Sequence, residues 1–155
     1  MTCSHRFRPV RYQTKLAASA NQLFAVKEVD RAGALSVRVT SLECTLVDVL
    51  DRTDLGGGWE EIWRSLDVVE FFDLDVVIKY TMLLENATTA AKAGFFLEQH
   101  KETLMVKVSH LESLRNYRPL KPHYLMRGQR GGRLVSEWNL VVPLQVLERS
   151  WQEVV

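Results

Sequence analysis

Asp48, Asp51 and Asp54 recur at i, i+3 and i+6, with Asp73 and Asp75 further along the chain. Metal-dependent nucleases and nucleotidyltransferases hold Mg²⁺ with paired carboxylates of this kind. No Lys or His stands at a companion spacing that favours catalysis, and Asp73 is better placed to cap a helix. Gly56-Gly57-Gly58 precedes a helical stretch, a setting in which backbone N–H groups can cradle phosphate. A phosphate loop of the Walker type needs Gly-Lys-Ser/Thr next, whereas Trp59-Glu60-Glu61 follows and two glutamates repel an anion. The glycines therefore read as a tight turn. His5, His100, His110 and His123 match no zinc-ligand spacing, and helix ends in solvent account for His100 and His110. Cys44 has no identifiable base or oxyanion donor and reads as a small buried or half-buried thiol. These residues predict no catalysis, no metal and no cofactor.

The basic residues are the remaining chemistry. Arg6, Arg8 and Arg11 lie near one end of the chain, with Arg115, Arg118, Lys121, Arg127, Arg130 and Arg133 towards the other. Arg127, Arg130 and Arg133 surround Arg127-Gly128-Gln129-Arg130-Gly131-Gly132, which reads as a glycine-rich hairpin tip able to touch phosphates. Arginine rather than lysine dominates, which favours planar contact with phosphate or carboxylate. The six residues expected to bind nucleic acid or a protein partner are Arg6, Arg8, Arg11, Arg127, Arg130 and Arg133.

The charge arrangement agrees with that expectation. The chain has 155 residues and a net charge of +1, but the charge is distributed in blocks. Residues 1–40 hold seven basic and two acidic side chains, residues 41–112 six and fourteen, and residues 113–155 seven and three. If the two basic ends meet, they form one positive face on a protein with a negative middle. At 46% hydrophobic and 25% charged the composition is that of a globular protein, which excludes collagen-like and disordered chains. Cys3 and Cys44 cannot form a disulfide framework. No run approaches 18 apolar residues, and the first twelve residues lack the apolar stretch of a signal peptide. The expected location is cytoplasmic, with no membrane partner.

The elements that must position these residues follow the same blocks. Phe7 to Gln13 reads as an edge strand at best because of Pro9. Leu23 to Val29 and Leu35 to Val39 read as strands around an Asp30-Arg31-Ala32-Gly33 turn. Thr40 or Ser41 caps a helix carrying Leu42, Leu46, Val49 and Leu50, and further helices open near Trp59, after Asp73 and after Asn86. Ser109 and Glu112 form a capping-box pattern. Tyr124 to Met126 and Leu134 to Val142 return to strand, and Pro143 opens a terminal helix. The expectation is a single α+β domain over 1–155, with a small antiparallel sheet from both chain ends on about four central helices.

The run Val39-Thr40-Ser41-Leu42-Glu43-Cys44-Thr45-Leu46-Val47-Asp48-Val49-Leu50-Asp51-Arg52, then Gly56-Gly57 and an acidic-aromatic helix, resembles the AbiEi family. That family comprises antitoxins of type IV toxin–antitoxin systems, also described as transcriptional regulators of viral defence. Ala93-Gly94-Phe95-Phe96-Leu97-Glu98 resembles its later Gly-Phe/Tyr-Leu-Leu-Glu element, and the likeness covers roughly residues 22 to 145. Cys44 departs from the family's arginine, and no N-terminal winged helix-turn-helix precedes Leu23. The resemblance implies the C-terminal antitoxin domain, which is non-enzymatic and counters a nucleotidyltransferase-type toxin. Its implied partners are nucleic acid, either a DNA operator or the toxin's RNA substrate, and the cognate toxin. The alternative reading is a stand-alone or accessory nucleic-acid-binding domain that uses the arginine face.

Overall fold

The expected N-caps Ser41 and Asp73, and the expected helix boundary at Asn86, start helices in the computed structural model, which describes residues 16, 20, 21 and 23–150. In chain order the elements are β1 (Val26–Arg31), β2 (Leu35–Thr40), α1 (Leu42–Asp51), α2 (Trp59–Asp67), α3 (Leu74–Leu83), α4 (Ala87–Gln99) and α5 (Val108–Asn116). They are followed by β3 (His123–Tyr124), β4 (Arg133–Val135), β5 (Leu140–Val142) and α6 (Leu144–Leu147). The Ser41 hydroxyl accepts from Cys44 N–H, the Asp73 carboxylate from Asp75 and Val76, and the Asn86 side chain from Thr88 and Thr89. Each satisfies first-turn donors that the helix cannot pair internally.

α5 starts earlier than the Ser109–Glu112 pattern predicts. Lys107 is its N-cap, and Ser109 lies within the first turn. His110 takes the glutamate's role: its Nδ1 accepts from Lys107 N–H at 3.3 Å, while Nε2 faces Asp75 at 3.3 Å.

The core is built around α4, where every residue from Thr89 to Leu97 is buried. Such a helix must be surrounded: α1, α3 and α5 pack on it, Trp59 and Trp63 of α2 meet Phe95 and Phe96, and Trp138 of the 136–139 turn meets Gly94. Its small residues set the distances. A Cβ on Gly94 would collide with the six-membered ring of Trp138, which is fully buried on the opposing C-terminal segment. Trp138 Nε1 then donates to Glu98 one turn further along α4, at 2.7 Å. The glycine turn before α2 is tight for a similar reason: a Cβ on Gly56 would lie 2.7 Å from the Ile62 side chain, and Gly57 has φ +84°.

The α+β class and the helical middle agree with the sequence reading. The two ends, however, build separate sheets. β1 and β2 form an antiparallel hairpin, and the other sheet has the order β3-β5-β4. In that sheet β4 is antiparallel to β5, but β3 runs parallel to it. Segment 127–132 is therefore not a hairpin tip. It carries the chain across β5 from one edge of the sheet to the other, and the hairpin in this region is β4–β5, turning at 136–139. The expected strand over 7–13 lies outside the described residues.

Candidate nucleic-acid interface

The crossing segment is an ordered platform for its arginines. Beneath it, Leu125, Leu140 and Val142 are fully buried. His123 N–H donates to Asn139 O at 2.9 Å and Leu125 N–H to Val141 O at 3.1 Å, locking β3 beside β5. Gln129 folds back inside the loop. Its Oε1 accepts from Met126 N–H at 3.2 Å, and its Nε2 donates to Gly131 O at 2.8 Å and to Val141 O at 2.9 Å. Gly132, at φ +127°, lies so close to β5 that a Cβ would come 2.6 Å from Val142 O. One glutamine and one glycine thus replace the hairpin ladder that the sequence pattern suggested, and the arginines project from a loop already held in shape.

Arg127, Arg130 and Arg133 are all exposed. Among the described residues none of the three has a carboxylate within ion-pair distance. They are not equivalent. Arg52 holds the Asp54 carboxyl below its ordinary value, and the positive charge of Arg127 adds to that effect, so Arg127 stands near an acidic group. Burial pushes the Lys92 ammonium below its ordinary value, and Arg127 contributes in the same direction. Arg115 is committed elsewhere: its Nη2 lies 3.4 Å from Glu98 and 3.5 Å from Glu137, and its guanidinium sits over the Trp138 ring at 5.3 Å. Burial, and then the neighbouring Glu137, push the Glu98 carboxyl up. Arg6, Arg8 and Arg11 lie outside the described residues.

The sequence reading passed over two tyrosines. Residues 113–136 contain Arg115, Arg118, Lys121, Arg127, Arg130 and Arg133 and no acidic residue, and within this stretch Tyr117 and Tyr124 are exposed. Arg115 aside, none of these cations has a carboxylate within ion-pair distance among the described residues, and flat rings among such cations are what a single-stranded or unstacked base requires. The available signal was the absence of acid over 24 consecutive residues.

The other chemical candidates are used internally. Tyr80 OH donates to Asp48 at 2.9 Å, Thr89 OH to Asp51 at 2.7 Å, and Arg52 pairs with Asp54 at 3.2 Å, so the three aspartates face three different donors. Burial pushes the Asp48 carboxyl up to about 6, against the Tyr80 hydrogen bond. Lys92 donates to the Asp51 carbonyl at 3.2 Å. Among the described residues no three His, Cys, Asp or Glu side chains gather to hold a metal ion. Cys44 is buried, and burial raises its thiol pKa. His100 is a correction: it is not a solvated helix end but is buried at 7% exposure, its ring centroid 4.1 Å from those of Trp63 and Phe96. Its Nδ1 pairs with Phe96 O, and burial lowers its pKa.

Comparison of the chain with protein-family models, curated proteins and solved structures returns no match. Among the described residues no helix is long and apolar enough to cross a membrane.

Proposed function

We propose that this chain is a non-enzymatic, cytoplasmic antitoxin or regulator domain that acts by binding nucleic acid through the surface around Arg127, Arg130, Arg133 and Tyr124. The observation that carries the reading is the crossing segment itself. Unpaired guanidinium groups project from a loop held by Gln129 and Gly132, within 24 residues that contain no acid. Guanidinium groups without carboxylate partners are free to pair with phosphates, and an ordered loop spends little entropy in doing so.

The antitoxin setting rests on the resemblance to the AbiEi family. Both motifs behind that resemblance are built into the core: Leu46, Val47 and Leu50 pack in it, Gly56 makes a tight turn, and Gly94 receives Trp138. Residues that pack a core carry no task of their own. That observation favours, as a second reading, an accessory nucleic-acid-binding domain using the same arginines.

Salt-dependent binding to duplex DNA and to tRNA tests the shared claim. Reversal of Arg127, Arg130 and Arg133 to Glu is expected to abolish binding. Neutralising Arg130 or Arg133 alone should reduce the slope of log K against log salt by about one on duplex DNA, and Arg127 by less because of Asp54. Absence of binding at low salt overturns both readings. Rescue of cells from the cognate toxin separates them, since an accessory domain gives none.

A further inference from the structure

The β1–β2 hairpin leaves its apolar face exposed. Directly opposed residues of an antiparallel pair share a face. The register therefore puts Lys27, Val29 and Arg31 on one face with Val39, Val37 and Leu35, and Glu28, Asp30, Arg38 and Ser36 on the other. The second face is polar and carries the cross-strand pair Arg38–Glu28. The first is a patch of four aliphatic side chains, each 38–61% exposed, flanked by two cations and containing no acid. All of β2 and all of β1 beyond Val26 are exposed, so the hairpin stands clear of the bundle beyond its root. A two-stranded hairpin with a bare apolar face is marginal in water and needs a covering surface.

The same protein carries a surface of the opposite kind. Between α2 and α3, Val68 and Phe71 are 80% and 67% exposed, and Asp67, Glu70 and Asp73 stand around them with no basic residue in the segment. Glu43 Oε1 accepts from Asp73 N–H at 3.1 Å; burial raises the Glu43 carboxyl, but hydrogen bonds from the Asp73 and Glu43 backbone and from Ser41, with a smaller contribution from the nearby Lys27 charge, bring it below its ordinary value. The acidic-apolar segment thus borders the root of the hairpin. Face-to-face contact of two hairpins sets cation against cation, whereas contact of hairpin with segment sets aliphatic against aromatic and cation against carboxylate. Two adjacent complementary patches close on themselves under a two-fold axis, which buries both pairs at once.

We infer that the chain forms a symmetric dimer in which the Lys27/Arg31 face of each hairpin covers the Val68–Phe71 segment of a second copy. This inference does not rest on the nucleic-acid reading, which uses the opposite end of the chain. Sedimentation of the full chain across a concentration series, without nucleic acid, is the test. A dimer is expected, and Val37→Asp should weaken its association at least about tenfold while leaving the circular dichroism spectrum intact, since the side chain faces solvent in the monomer. Lys27→Glu/Arg31→Glu and Asp67→Lys/Glu70→Lys should each weaken the homodimer. Mixing these two variants should restore association, because one of the two reciprocal contacts then meets with matched charges and the other with reversed but again complementary ones. A monomer throughout the series overturns the inference, as does a dimer indifferent to Val37→Asp. If the charge variants dissociate singly but do not associate when mixed, the covering surface is not the acidic segment.

Discussion

The protein contains two small sheets made largely of the same residue types, and they are stabilised differently. In the C-terminal sheet Leu140 and Val142 on β5 are fully buried, the polar Gln129 is turned inward to hold the crossing loop, and exposure is confined to the flanking strands, at His123, Tyr124, Arg133 and Leu134. In the N-terminal hairpin four aliphatic side chains face outward and the charged pair Arg38–Glu28 lies on the opposite face. Alternation of apolar and polar residues identifies a strand in both cases, but it does not say what lies against the apolar side. In the first sheet the β4–β5 turn packs on α4, where Gly94 receives Trp138, and β5 is buried; in the second the described residues of the same chain supply nothing beyond the root. A strand pattern therefore sets which face needs cover, and the remainder of the fold decides whether that cover is intramolecular.

The strongest way to break the contrast is to loosen the covered sheet. Trp138→Ala is expected to cost about 3–5 kcal/mol, since it empties a fully buried site and removes the indole bond to Glu98. Gly94→Ala should be severely destabilising alone, because the new methyl meets the indole ring. In the Trp138→Ala background the same substitution should cost far less, as the methyl then enters the vacated space. Urea unfolding of the four proteins of this cycle provides the check. Simple addition of the two costs would mean that Gly94 is not there to admit Trp138.

A smaller effect comes from the root of the uncovered hairpin. The Phe24 ring stacks on Tyr80 at 6.2 Å, the Cys44 thiol donates to Phe24 O, and Tyr80 OH donates to Asp48, whose carboxyl is pushed up to about 6. A carboxyl with a raised folded pKa is more easily protonated in the native state than in the unfolded one. Its effect therefore has the opposite sign to that of a salt-bridged aspartate: stability falls as pH rises from about 4 to about 6. A displacement of about two pH units corresponds to at most about 3 kcal/mol. Asp48→Asn keeps an acceptor for Tyr80 and removes the charge, so its stability advantage over the parent chain should appear across that interval and persist above it. Parallel stability–pH profiles for the two proteins would exclude a half-buried, charge-averse Asp48.

What was legible in the sequence was local. Ser41, Asp73 and Asn86 cap helices because a side-chain oxygen two or three residues from a free N–H is a property of a few consecutive residues. The glycine turn at 56–58 was readable for the same reason. The parallel pairing of β3 with β5 was not, because no turn joins those strands and their register is set by what β5 buries. For the same reason the arginine loop looked like a hairpin tip: Gln129, which holds it, is an unremarked polar residue until Val141 O lies beside it. His100 was misread because its sequence position is a helix end, while its burial depends on Trp63, 37 positions earlier. Of the candidate site, the three C-terminal arginines were found from charge alone. The tyrosines were missed because an exposed and a buried aromatic look alike in one sequence.

The smallest expected effect is also the most direct measure of the contrast between the sheets. Leu140→Ala on β5 should cost about 2–5 kcal/mol, the range for emptying a buried leucine site. Leu35→Ala on β2 makes the same chemical change at a side chain that is already 61% exposed, and should lie within about 0.5 kcal/mol of the parent. Both must be measured at low protein concentration, where association adds nothing to apparent stability. Repeated at high concentration, Leu140→Ala should show an unchanged cost while Leu35→Ala acquires one, because only the hairpin's aliphatic face is covered by a second molecule. A concentration-independent Leu35→Ala would mean that the exposed face stays bare, and the difference between the two sheets would then be one of burial alone.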